Sequence, residues 1–218
     1  MHLPVDRIAG LALALPALGL GLFLCATTFA SQPDLAAGGG GIYGTTQLQA
    51  ATQRAFAAHD AALMAADAAG LARHLAAIER GLRLQLARTP ANGALWASLA
   101  EITARRTGDT RAALPFYDLS YLTGRIEDSA VSRRLVFATA RWSELPAGSR
   151  EHFAADLRTL LTHVPRHRAI DFLADLAVAA TDAEVPVRLR AAVAELASEQ
   201  LKNFDAWTAK RRVASKST

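Results

Sequence analysis

His163-Val164-Pro165-Arg166-His167 sets two imidazoles four positions apart, and Asp171 and Asp175 follow at the same spacing. These are ligand types for a divalent cation. Pro165 disfavours helical backbone in the residue before it, and a broken helix does not bring positions four apart onto one face. The same residues also describe a basic turn between two helices. A second set, His59, Asp60 and Met64 with His74 beyond, would face two imidazoles across one helical hairpin. It lacks the H-E-x-x-H pattern that joins two ligands to a general base. Ser98, Ser120 and Ser149 lack the G-x-S-x-G setting of an exposed nucleophile. The run Gly38–Gly41 has no Lys-Ser/Thr to make it a phosphate loop. We therefore expect no catalytic residue, no metal and no cofactor.

The 218-residue chain is 51% hydrophobic, enough for a core. That content is mostly alanine and leucine, accompanied by arginine, glutamate and glutamine. All are strong helix formers, so an all-α protein is expected. The net charge of +4 comes almost wholly from arginine. Anionic partners would explain it, and so would a base-composition bias of the genome. Nucleic acid is not expected, because no basic surface motif with interleaved aromatics accompanies the charge. Residues 210–218, with Lys210, Arg211, Arg212 and Lys216, read as a basic tail, either simply solvated or touching anionic headgroups or an acidic polymer.

Ile8–Phe29 carries no charge over 22 residues. As a helix it would span about 33 Å, the thickness of a bilayer core. Arg7 is the nearby positive residue and favours an N-terminus inside. Thr28-Phe29-Ala30 resembles a cleavage site, but the apolar run exceeds a signal-peptide h-region of about 7–15 residues. An uncleaved anchor within residues 1–30 is expected, with a released form as the alternative. Lipid attachment at Cys25 is disfavoured because Leu24 stands where a small residue would be needed. Cys25 is the only cysteine, so the part beyond the membrane has no thiol nucleophile, no cysteine zinc site and no disulfide.

Residues 31–45 form a glycine-rich linker, since four successive glycines forfeit too much backbone entropy to be helical. The helical domain is expected over residues 46–209. A T-x-x-Q pattern at Thr46–Gln49 would cap its first helix, which carries Leu48, Phe56 and Leu63. After a break at Gly70, Leu71, Leu75, Ile78, Leu82 and Leu86 continue the rhythm to Thr89-Pro90. A second hairpin carries Leu95, Trp96, Leu99 and Ile102, turns at Gly108-Asp109, and resumes with Ala113, Leu114, Tyr117 and Tyr121. Beyond Gly124, caps at Asp128 or Ser129 and at Ser149 would start two more helices. Ile170, Leu173 and Leu176 mark a shorter one. Val187 to about Lys210 would be a single final helix after a connection over Thr181–Pro186. About seven helices joined by short turns imply antiparallel neighbours.

Trp96, Leu99, Gly108, Ala113 and Tyr117, with Ser120 as a small packing residue, resemble the positions of a tetratricopeptide repeat. The likeness covers one repeat well. Trp96 to Gly108 is one residue long, Pro115 falls early in the second helix, and Gly124 replaces the terminal proline. No other segment scans as a clean copy. The resemblance implies a short α-solenoid of antiparallel helical hairpins, preceded by one transmembrane helix, with Trp96 buried. It also implies that the first helix of each hairpin lines a concave face into which Ser98, Glu101 and Arg105 point, making them the partner-binding candidates. Around them cluster Arg106, Arg111, Arg125, Arg133, Arg134 and Arg141. Such a chain would be a non-enzymatic adaptor for a protein partner in cell-envelope assembly, anchored in the bacterial inner membrane by residues 8–29 with its C-terminal domain in the periplasm. The alternative is a cleaved, soluble periplasmic protein that binds or hydrolyses a small ligand.

Overall fold

A computed structural model describes residues 44–215. The helices are α1 Thr45–Met64, α2 Ala68–Leu86, α3 Gly93–Thr107, α4 Thr110–Thr123, α5 Asp128–Ala140, α6 Ala147–His163, α7 Arg166–Ala179, α8 Glu184–Leu196 and α9 Leu201–Ser215. Short 3-10 turns at Trp142–Glu144 and Ser198–Gln200 complete the set, and no strand occurs among the described residues. The expected anchor at 8–29 and the linker through residue 43 lie outside the described residues. Among the described residues no helix is long and apolar enough to cross a membrane.

The chain is a repeat-like succession of helical hairpins. α1 packs on α2, α3 on α4 and α5 on α6, while α3 also packs on α2 and α5. Farther along, α9 lies against α7 and α8. Two apolar clusters meet at α3. Leu99 and Ile102 join Leu48, Ile78 and Leu82 of the first hairpin. Ala100 and Ala104, on another stripe of the same helix, join Ala113, Tyr117, Leu135 and Phe137. α3 is therefore buried on two sides, which fixes how the first hairpin stands on the second.

Several local signals act at other residues than the spacing predicts. At the start of α1 the Gly44 N–H donates to Gln47 Oε1 at 2.8 Å, so Thr46 and Gln49 are not the box. Gly70 lies inside α2, whose cap is Asp67 accepting from the Gly70 N–H at 2.9 Å. α5 starts after Glu127 and α6 after Pro146, neither with a side-chain cap, and Ser149 is buried in the first turn of α6. Pro115 is the sixth residue of α4, past the N-terminal turn, and it is exposed, where water can reach the carbonyl left without its donor. The expected final helix is two: Pro186 is tolerated in the first turn of α8, and the chain bends at Ala197 before α9. Nine helices therefore stand among the described residues, the break at Ala197 adding one to the segments that the spacing marks.

The turn expected at Gly108 is present, with φ 67° in the left-handed region that suits glycine as a helix C-cap. Asp109 then starts α4 by accepting from the Arg111 N–H at 2.8 Å. The other end of this hairpin depends on a close approach: a Cβ on Gly93 would stand 2.5 Å from the Gly124 Cα. Ser120 Oγ donates to the Gly93 carbonyl at 2.8 Å across the same contact. Ser120 thus has the small, fully buried packing position expected of it.

Candidate functional site

The first helices of the three hairpins, α1, α3 and α5, share one face, and a depression of about 290 Å³ runs between them. Phe56, Ala97, Ile102 and Val136 supply its apolar part, and Ser98, Glu101, Arg105, Ser132 and Arg133 its polar part. A second depression of about 420 Å³ continues past Glu101 and Arg105 to Thr110, Arg141 and Glu144. The three candidates Ser98, Glu101 and Arg105 therefore lie together along α3, facing one groove.

Their chemistry is less open than their position. Ser98 is 8% exposed, and its hydroxyl donates to the Ala94 carbonyl one turn back at 2.9 Å. Glu101 accepts from Arg105 on its own helix and, at 2.8 Å, from Arg141 at the end of α5. The Arg141 guanidinium lies 4.8 Å from the Phe137 ring centroid. Glu101 thus ties α3 to α5 and neutralises part of the groove. Arg133 is exposed and makes no hydrogen bond, ion pair or ring contact among the described residues.

The arginines that cluster in sequence are dispersed by the fold. Arg106 pairs with Glu79, which also takes Arg83 at 2.8 Å. Burial pushes the Glu79 carboxyl up, but the two guanidinium hydrogen bonds and charges outweigh it and hold the group below its ordinary range. Arg125 lies over Tyr121, 5.7 Å from the ring centroid.

Arg134 is fully buried. Its Nε and Nη2 donate to the two Asp156 carboxylate oxygens at 2.8 and 2.7 Å. Its Nη1 donates to the carbonyls of Ser120 and Gly124 at 2.9 and 3.0 Å, which closes the C-terminal end of α4. One side chain thereby holds α4, α5 and α6 together behind the groove. Burial pushes the Asp156 carboxyl above its ordinary range against the pull of Arg134.

The metal-like set is not assembled. His163 ends α6 and Pro165 precedes α7, and Asp171 and Asp175 both bind Arg211 of α9. His163 Nδ1 lies 3.1 Å from the Thr159 carbonyl. His59 is 8% exposed, and its Nδ1 has no partner among the described residues. Among those residues no group of three His, Cys, Asp or Glu side chains could hold a metal ion.

Periodicity treats Phe56 and Leu63 as core; the structure leaves Phe56 half-buried at the groove and Leu63 60% exposed. Trp96 is also half-buried, stacked on Phe116 with centroids 6.1 Å apart, with its indole N–H donating to the Pro90 carbonyl at 2.7 Å. The fully enclosed tryptophan is Trp142, whose N–H donates to Glu184 at 2.8 Å. Sequence reasoning also missed Arg134 as a buried ion. Its signal was present, because position 134 falls on the same apolar stripe as Val131, Leu135 and Ala138.

Fold and groove define a helical repeat-like all-α domain with one partly apolar, partly cationic concave face. No protein-family model, curated protein or solved structure gives a significant match to this chain.

Proposed function

We propose that this chain is a non-catalytic adaptor of tetratricopeptide-like architecture that holds a segment of a protein partner in the α1/α3/α5 groove. It is held in the bacterial inner membrane by residues 8–29, with the helical domain in the periplasm, and serves assembly of the cell envelope. The observation that carries the reading is the placement of Ser98, Glu101 and Arg105 on one groove built from the first helices of successive hairpins. An open groove with apolar floor and charged rim suits a peptide segment. Confinement to a membrane surface raises the effective concentration of membrane-bound partners, so modest affinity suffices.

A photo-crosslinking amino acid placed at Val136, in the groove, and at Leu122, 77% exposed on α4, tests the reading in intact cells. Val136 is expected to give a discrete adduct, identified by mass spectrometry, and Leu122 none. Equal adducts from both positions, or none from Val136, would sink the groove. Thr28-Phe29-Ala30 keeps a second form in view, a soluble periplasmic protein that binds or hydrolyses a small ligand. A mature mass lacking the first 30 residues would favour that form over the anchor.

A further inference from the structure

We propose that the occupant of the groove is an acidic, apolar segment of a partner protein, its carboxylate taken by Arg133 and its apolar side chain by the slot between Phe56, Ile102 and Val136. This rests on the groove-binding reading above and names the chemistry of the partner. The slot has Ile102 as its floor, with half-buried Phe56 and 40% exposed Val136 as its walls. Apolar surface left to water in a concave site is stabilised by covering it.

The charges select the partner. The depression that holds the apolar slot carries Arg105 and Arg133 against Glu101, an excess of one positive charge, while Glu144 lines only the adjoining depression, which Arg133 does not reach. Glu101 occupies Arg105 and Arg141, so neither guanidinium is fully available to an incoming anion. Arg133 keeps all its donors for a ligand, and Ser132 lies beside it on the groove wall. The Arg133 guanidinium can donate to a carboxylate in a two-bond fork, and a basic side chain would meet repulsion there instead. Glu101 acts as a stand-in ligand: it narrows the groove's preference from a polyanion to a segment with one well-placed acid beside an apolar residue.

The test uses the full chain in detergent micelles, presented with a random peptide display library. The wild-type chain is expected to enrich peptides with Asp or Glu within one or two positions of Leu, Ile, Met or Phe. Arg133→Glu should abolish the acidic preference and weaken the leading synthetic peptide about tenfold in fluorescence anisotropy, while added salt weakens the wild-type complex. Arg133→Lys should retain part of the affinity, and unchanged circular dichroism in both variants establishes that the fold is intact. Glu101→Gln should extend the selection to peptides with several acids; an unchanged profile would overturn the role given to Glu101. Enriched peptides without acids, or binding by Arg133→Glu within about twofold of wild type, would overturn the inference while leaving a groove that binds peptides. A library yielding no enriched peptide would instead remove the groove-binding reading on which it rests.

Discussion

Replacing Arg134 by Met removes the charge from a site with no solvent access and leaves the Asp156 carboxylate buried without its partner. Breaking a buried pair from one side costs about 3–5 kcal/mol. The loss of the hydrogen bonds to the Ser120 and Gly124 carbonyls belongs to the same change, so the upper half of that range is expected. The pH dependence identifies the cause. Without Arg134, burial is opposed only by the weaker pull of His152, and the folded-state pKa of Asp156 rises further above the unfolded value of about 3.9. Below that unfolded value the carboxyl is protonated in both states and carries no penalty; as pH rises towards and through the folded-state pKa the penalty grows. The deficit of Arg134→Met relative to wild type should therefore be largest near neutrality and shrink on acidification. Adding Asp156→Leu should recover at least about 2 kcal/mol of the loss, because the uncompensated ion is gone. Urea unfolding followed by circular dichroism across that pH range measures each quantity. A deficit under about 1 kcal/mol, a pH-independent deficit, or strict additivity of the two substitutions would refute the reasoning.

Three further outcomes follow from the packing. Trp96→Ala should cost about 1–3 kcal/mol in thermal or urea unfolding rather than the roughly 3–5 of an enclosed ring, because the indole is half-buried and loses chiefly its stacking on Phe116 and its bond to Pro90. Gly93→Ala should destabilise by about 1–3 kcal/mol, since backbone rather than a flexible side chain blocks the new methyl, and a neutral result would show that the α3/α4 contact opens freely. Glu79→Gln should be less stable than wild type at neutral pH, and the difference should vanish as pH falls through the folded-state pKa, which lies below the ordinary glutamate value; a difference that persists in strong acid would contradict the pairing with Arg83 and Arg106.

Much of the helical core was legible because burial in helices repeats at three and four residues. Leu75, Ile78, Leu82 and Leu86 of α2, and Leu99, Ile102, Ala113 and Tyr117 of the next hairpin, are buried as their spacing predicts. Helix starts were less legible. A serine or threonine near a boundary signals a cap only if the chain turns there, and at α1, α5 and α6 it turns at Gly44, Glu127 and Pro146 instead. The groove was legible in part: Ser98, Glu101 and Arg105 share a helix face, but Phe56 and Val136 enter the groove from helices far away in sequence.

By itself the sequence determined the all-α class, the hairpin rhythm through residue 124 and the absence of thiol chemistry beyond Cys25, because composition and local periodicity act through the chain's own backbone. Only the tertiary structure decided which arginine of each cluster meets a carboxylate. Arg133 and Arg134 are adjacent and chemically identical, yet one faces the groove without a partner and the other is enclosed against Asp156. Successive residues on a helix point about 100° apart, and what waits in each direction is set by helices that the local sequence does not describe.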